Sequence, residues 1–422
     1  MSRFLFATWE GGGHVQPLVM VARGLMDRGH QVLVLSDAVN ASDAAAFGVP
    51  FQPWRRAPSR TDRSPNSDPV KDWLAKTPLE MIERLCHHLI CGPAGLYGAD
   101  TVEVIDAWRP DVVVCHELVF GVMAAAEAKG VKLAVFAANV WSLPTLEGAP
   151  PFGGGLPPPR TDFDFDLYAR LRAATRQGFQ VGLPALNTAR ASLGLAPLTD
   201  LFDQLTPAGR ILLATSRAFD FDLTPPEPFR YVGPYMADPE WTEAWTPPWP
   251  ASDTRPLALV SFSTMYQGQE PALRRVIEAL GGLAVRAVVT LGPSLAPDDF
   301  AAPSNVAVSA RAPHGRILPL ASLIITHAGH ASALRPLMAG LPLVCLPLGR
   351  DQPDNAQRVA EHGAGIRLLP DASPAEIATA VSKVLGDPSY GAAAESLGQR
   401  ISADAASRSA DQELIALAEE TP

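Results

Sequence analysis

Cysteine is scarce in this chain of 422 residues: there are four, Cys86, Cys91, Cys115 and Cys345, and no C-x-x-C pair. This excludes a disulfide scaffold, and reduced, mostly buried thiols are the expectation. Cys86-His87-His88 with Cys91 matches no common zinc spacing, so no metal site is expected. Nowhere does an apolar run reach the ~18 residues of a membrane span. The first ten residues hold one early base and a short apolar run, which does not read as a signal peptide, and a cytoplasmic chain is expected. Bases are outnumbered: 34 Lys and Arg against 44 Asp and Glu leave a net charge of −10, which argues against nucleic acid or an anionic membrane as partner. Short internal repeats are also missing.

A hydrophobic fraction of 47% is ample for sizeable cores, and the length suits two or three domains. Proline, at 41 residues, is roughly double its usual share and belongs to loops and linkers. Residues 3–8 read as a strand, Gly11-Gly12-Gly13 as a turn and 15–28 as an amphipathic helix. Further apolar strands are read at 31–35, 111–115 and 131–137, with a helix at 121–129. The same grammar restarts at 257–261, 287–291, 323–326 and 343–346, with helices at 273–283 and 331–339. Strands this apolar, alternating with helices, indicate parallel sheets covered on both faces. The expected divisions are a domain at 1–235, a proline-rich linker at 236–255, a second domain at 256–404 and a terminal helix at 405–422 that suits either domain. A second Pro/Gly stretch, 148–160, is expected to be a mobile surface loop near the cleft.

Two turns carry chemistry. In the first, Gly11 and Gly13 match the opening of a dinucleotide fingerprint and Asp37 suits a ribose, but Gln16 occupies the third glycine position. What remains is His14 displayed between strand and helix, as a functional group or as a cap on that helix. The second turn, His327-Ala328-Gly329-His330-Ala331-Ser332, follows a strand and enters a helix. It offers backbone amides, a positive helix end and a hydroxyl, a set suited to a diphosphate. Asp351 and Gln352, after the next strand, supply groups for sugar hydroxyls.

The order of these motifs resembles the GT-B glycosyltransferases that use nucleotide sugars, especially bacterial enzymes acting on polyketides and other natural products. The resemblance runs from Gly11 to Pro17, through Tyr231-Val232-Gly233-Pro234, to the stretch 313–356. It implies an α/β fold of two Rossmann-like domains facing across a cleft, with the acceptor on the first and the donor on the second. It also implies inverting transfer with no metal and no cofactor, the nucleotide sugar being a co-substrate. By position, His14 matches the general base. His327, Gly329, His330, Ala331 and Ser332 match the diphosphate cradle, Ser263 and Thr264 the opposite loop, and Asp351 and Gln352 the pair that holds the donor sugar.

Three positions depart from the family pattern. The acid that orients the catalytic histidine is here His116, with Glu117 beside it. Three arrangements stay open: Glu117 reaches His14, His14 acts alone, or the two histidines share a proton. Arg311, ahead of Pro313 and His314, replaces the aromatic residue against which the base stacks, and a guanidinium can also stack. Arg335 replaces the glutamate that binds ribose, and is expected to turn to solvent or to an acid such as Glu361. For the acceptor, Trp9, Phe120, Trp141, Phe152 and Phe179, with Gly12 in the turn, are read as walls for a hydrophobic molecule. Two other classes remain at this point: a sugar-nucleotide epimerase, and a non-catalytic paralogue that binds a ligand or activates a partner enzyme. Oligomeric state is not legible.

Overall fold

The apolar runs form two sheets in which every strand pair is parallel. The computed structural model describes residues 1–236, 245–262, 265–292 and 294–420. The first sheet contains β1 (Arg3–Ala7), β2 (Gln31–Ser36), β3 (Phe51–Pro53), β4 (Val112–His116), β5 (Lys132–Ala137), β6 (Ala208–Leu213) and β7 (Phe229–Tyr231), in the order β3-β2-β1-β4-β5-β6-β7. The second contains β8 (Leu257–Ser261), β9 (Arg286–Thr290), β10 (Val306–Ser309), β11 (Leu323–Thr326), β12 (Leu343–Cys345) and β13 (Gly365–Arg367), in the order β10-β9-β8-β11-β12-β13. Both orders reverse direction beside their first strand, between β1 and β4 and between β8 and β11. This is the crevice where open parallel sheets bind ligands.

Side chains alternate along each strand because successive residues face opposite sides. In β1, Phe4 and Phe6 join one core while Leu5 and Ala7 join the other. In β8, Ala258 and Val260 face one way and Leu257 and Leu259 the other. The final helix, Ala410–Glu419, returns to the first sheet, where Ala410, Leu414 and Leu417 pack with Phe4, Val112 and Leu212. The expected linker falls partly on 237–244, outside the described residues.

The Pro/Gly stretch 148–160 is more constrained than a mobile surface loop. The amides of Gly153 and Gly155 donate to the two carboxylate oxygens of Asp354 at 2.6 and 2.8 Å, and Arg367 reaches the Gly155 carbonyl. A loop rich in glycine exposes amides, and Asp354, in the helix Gln352–Glu361, supplies their acceptor.

Candidate active site

His14 occupies the N-cap position of the helix Val15–Asp27, past the carboxyl end of β1, without a side-chain capping bond. Its Nε2 lies 3.2 Å from the Trp9 carbonyl, which only accepts, so in the neutral ring Nε2 carries the proton and Nδ1 the lone pair. Gly11 makes room for this pose. A Cβ there would fall 2.2 Å from His14 Cε1 and 2.6 Å from Trp9 Cζ2. The imidazole keeps an open edge, but protein from both domains surrounds it. Desolvation pushes its pKa down to about 4 against the Trp9 bond, with the Arg350 charge adding to the fall.

His116 ends β4 and stacks beside His14, ring centroids 4.2 Å apart. Its Nδ1 accepts from the Leu118 amide at 3.2 Å, and its Nε2 lies 3.2 Å from Glu117 Oε2. That second contact is close but poorly aligned, since Glu117 Oε2 lacks a well-formed hydrogen bond. Desolvation, with His14 nearby, holds His116 well below its usual pKa, so it is neutral. The pair is therefore a ring contact between two neutral imidazoles, not a shared proton. Glu117 is turned towards His116 and Ser142, whose hydroxyl lies 3.2 Å from Oε1, and burial raises its pKa to about 8. Of the three arrangements open in the sequence, the geometry among the described residues matches a His14 without a carboxylate partner.

On the second domain, His327 follows β11 and is buried, beside Phe262 and hydrogen-bonded to the Ser261 backbone. Desolvation lowers its pKa to about 4, and Arg350 adds to the fall. Gly329 caps the helix His330–Met338. The first intrahelical bond runs from Ala333 N to Gly329 O, so the amides of Ala331 and Ser332 face out of the helix end. The His330 amide meets Asp351 Oδ2 at 3.3 Å, while its ring turns away to Thr215 Oγ1 of the first domain at 2.7 Å. Asp351 is further held by Asn355 Nδ2 at 2.7 Å. Gln352 is buried, donating to Gln267 at 2.6 Å and accepting from the Leu348 amide at 2.8 Å. His314 contacts Thr290 Oγ1 at 3.1 Å, next to buried Pro313 and exposed Arg311. Glu361, suggested for Arg335, pairs with Arg160. Ser263 and Thr264 lie outside the described residues.

The acceptor-side reading needs correction. Phe120 is fully buried, packed edge-on against Phe202. Trp141 packs against Phe229, with its indole N–H donating to Thr145 at 2.9 Å, and Phe179 meets Phe202 edge-on. All three belong to the core beneath the sheet, because aromatic rings fill its helix-covered face. Trp9, beside His14, and Phe152, in the strap of residues 148–160, retain exposed surface. One residue that motif reading passed over is Arg350, whose guanidinium crosses to Asp72 of the first domain. Its place immediately before Asp351 was the available signal.

Known proteins resemble this chain in sequence and in fold. Residues 274–420 match the family described as erythromycin biosynthesis protein CIII-like, C-terminal domain. The chain is 28% identical over 409 residues to 4'-demethylrebeccamycin synthase of Lentzea aerocolonigenes, covering 92% of this chain and 93% of that one. It is 25% identical over 401 residues to demethyllactenocin mycarosyltransferase of Streptomyces fradiae, covering 92% and 80%. Among solved structures, the calicheamicin glycosyltransferase CalG4 superposes over the full length of both chains with a TM-score of 0.73 at 20% identity. The kitacinnamycin glycosyltransferase gives 0.76 at 19%, over 99% and 98%. The chain thus carries an EryCIII-like carboxy-terminal domain over residues 274–420, has the two-sheet GT-B architecture of solved natural-product glycosyltransferases, and is similar over most of its length to enzymes named as such.

Proposed function

We propose that this glycosyltransferase moves a sugar from dTDP or UDP onto a hydroxyl of a hydrophobic small molecule, inverting the anomeric carbon and using no metal or cofactor. One arrangement carries the reading. A neutral histidine with a free lone pair stands at the switch point of the first sheet, and a histidine with an open helix end stands at that of the second. In a single displacement, the acceptor oxygen bonds to the anomeric carbon as the bond from that carbon to the phosphate oxygen breaks. The electron pair leaves with the diphosphate, and the acceptor proton passes to His14 Nδ1. His327, the amides of Ala331 and Ser332 and the helix dipole offset the charge on the leaving group. Support for thymidine diphosphate comes from two structural neighbours, the spinosyn rhamnosyltransferase SpnG and the glycosyltransferase VinC, each solved with that nucleotide. The four thiols are free and buried, which suits a reducing compartment such as the cytoplasm. Among the described residues, no helix is long and apolar enough to cross a membrane.

The test is mass spectrometry of purified protein with UDP and dTDP sugars and pooled flavonoid, macrolide and aromatic polyketide acceptors, with His14→Ala alongside. Acceptors should gain the mass of one sugar with wild type, and at least ~100-fold less product should form with the variant. Equal turnover by His14→Ala would remove His14 as the base.

A further inference from the structure

Arg350 leaves its own domain. It stands between β12 and the helix Gln352–Glu361, in the left-handed region at φ 59°. Its Nη2 lies 2.9 Å from Asp72 Oδ1, and its Nε pairs with the other carboxylate oxygen. Asp72 opens the short turn Asp72–Leu74 of the first domain, and Lys71 before it is also left-handed, at φ 47°. Non-glycine residues hold this conformation at a cost, where their surroundings require it. Here two such residues adjoin or form one ion pair.

Trp73, next along the turn, meets the ring of Tyr266 edge-on at 5.3 Å. Tyr266 lies in the loop after β8, beside Gln267, the partner of Gln352. Two consecutive residues of one first-domain turn thus grip two second-domain loops, the one after β12 by charge and the one after β8 by ring contact. Met265 completes the closure. Its Sδ lies 3.9 Å from Arg350 Nη1 and covers Gly12, where an added Cβ would fall 2.7 Å from the sulfur. Arg350 is close enough to His14 and His327 for its charge to act on both.

We propose that Asp72, Trp73, Tyr266 and Arg350 form a clasp that shuts the cleft over His14, and that Asp72 and Arg350 are positioning residues for sugar transfer. Shut, the clasp excludes water from the donor and aligns the two halves of the site; open, it lets the donor hydrolyse. The kinetic half of this inference rests on the transferase reading, whereas the structural half does not.

The test compares wild type with Asp72→Asn, Arg350→Gln, Arg350→Lys and the exchange of Asp72→Arg with Arg350→Asp, after thermal melts show that each is folded. Small-angle X-ray scattering should give a larger radius of gyration for Asp72→Asn and Arg350→Gln, with Arg350→Lys and the exchange closer to wild type. With UDP-glucose and dTDP-glucose, the same two variants should lower kcat for transfer by on the order of 10- to 100-fold. Donor KM should move less, and a larger share of donor should be hydrolysed. Unchanged scattering in both variants overturns the clasp, including where transfer is impaired and the exchange fails to rescue it, which would make Arg350 a direct substrate contact. Opening without loss of transfer overturns the positioning role. If wild type transfers nothing while scattering responds as described, the transferase reading falls and the clasp stands.

Discussion

At the scale of single residues, His14 is the unusual group. A histidine with a carboxylate on its second nitrogen gains basicity; this one has a carbonyl there and a neutral imidazole at its side. Burial keeps it unprotonated, so it is always in the right form but is a weak base. The sign follows directly. A base whose pKa is depressed stays active as pH falls through 6.5 and loses activity only near its own lowered value. We therefore expect kcat/KM to hold level from pH 8 to about pH 5 and to drop as pH approaches 4, in an initial-rate series with enzyme shown to be stable at each pH. A limb near 6.5 would place His14 in a solvated setting and refute the buried, unpartnered arrangement. The missing acid was legible in the sequence as His116. Its consequence was not, because only the fold shows that His116 Nδ1 accepts from the Leu118 amide while its ring lies against His14.

At the scale of elements, the donor half depends on how the helix His330–Met338 is seated. The helix Pro388–Ala406 lies against it at Gly398, where an added Cβ would fall 1.9 Å from the Leu337 carbonyl oxygen and 3.2 Å from Met338 Cα. Both obstacles are backbone, so a larger residue moves the helix instead of rotating a side chain. Gly398→Ala should cost about 1–3 kcal/mol in urea unfolding, a range typical of overpacking. It should also raise donor KM on the order of 10-fold, with a smaller change in acceptor KM, by shifting the Gly329 end of the helix. Equal changes in both constants would mean that the helix position does not bear on the donor. Elements of this kind were readable in advance because their signals are local: apolar runs for β1, β4, β8 and β11, and glycine-bearing turns ahead of the helices that follow β1 and β11. The strap at 148–160 was read as mobile because its acceptor, Asp354, is 201 residues away from Gly153. Phe120 and Trp141 failed for a similar reason, since an aromatic residue near a strand end reads the same whether it faces the cleft or the core.

Across the whole molecule, the two sheets are joined by more than a linker. Phe219, just past β6, is fully buried in the second domain's core among Leu257, Ile324 and Leu337. Its neighbour Asp220 accepts from Arg358 Nε at 2.8 Å and Nη2 at 2.6 Å, and from the Tyr231 hydroxyl at 2.8 Å. The Arg358 guanidinium lies 4.1 Å from the Phe221 ring centroid. Both charges are buried, so removing one strands the other away from water. Asp220→Ala should therefore cost about 3–5 kcal/mol, the usual range for breaking a buried pair, well beyond what an exposed ion pair contributes. Arg358→Met should cost a comparable amount by leaving Asp220 buried and charged. The two together should cost less than their sum by about 2 kcal/mol or more, because the double variant leaves no stranded charge and methionine fills the space of the arginine stem. Urea unfolding of all four proteins closes this cycle. Additive losses would show that the pair does not act as a unit, and the junction would then rest on Phe219 and the returning helix Ala410–Glu419. Sub-additive losses would show that the buried Asp220–Arg358 pair acts as one unit in tying the two domains together.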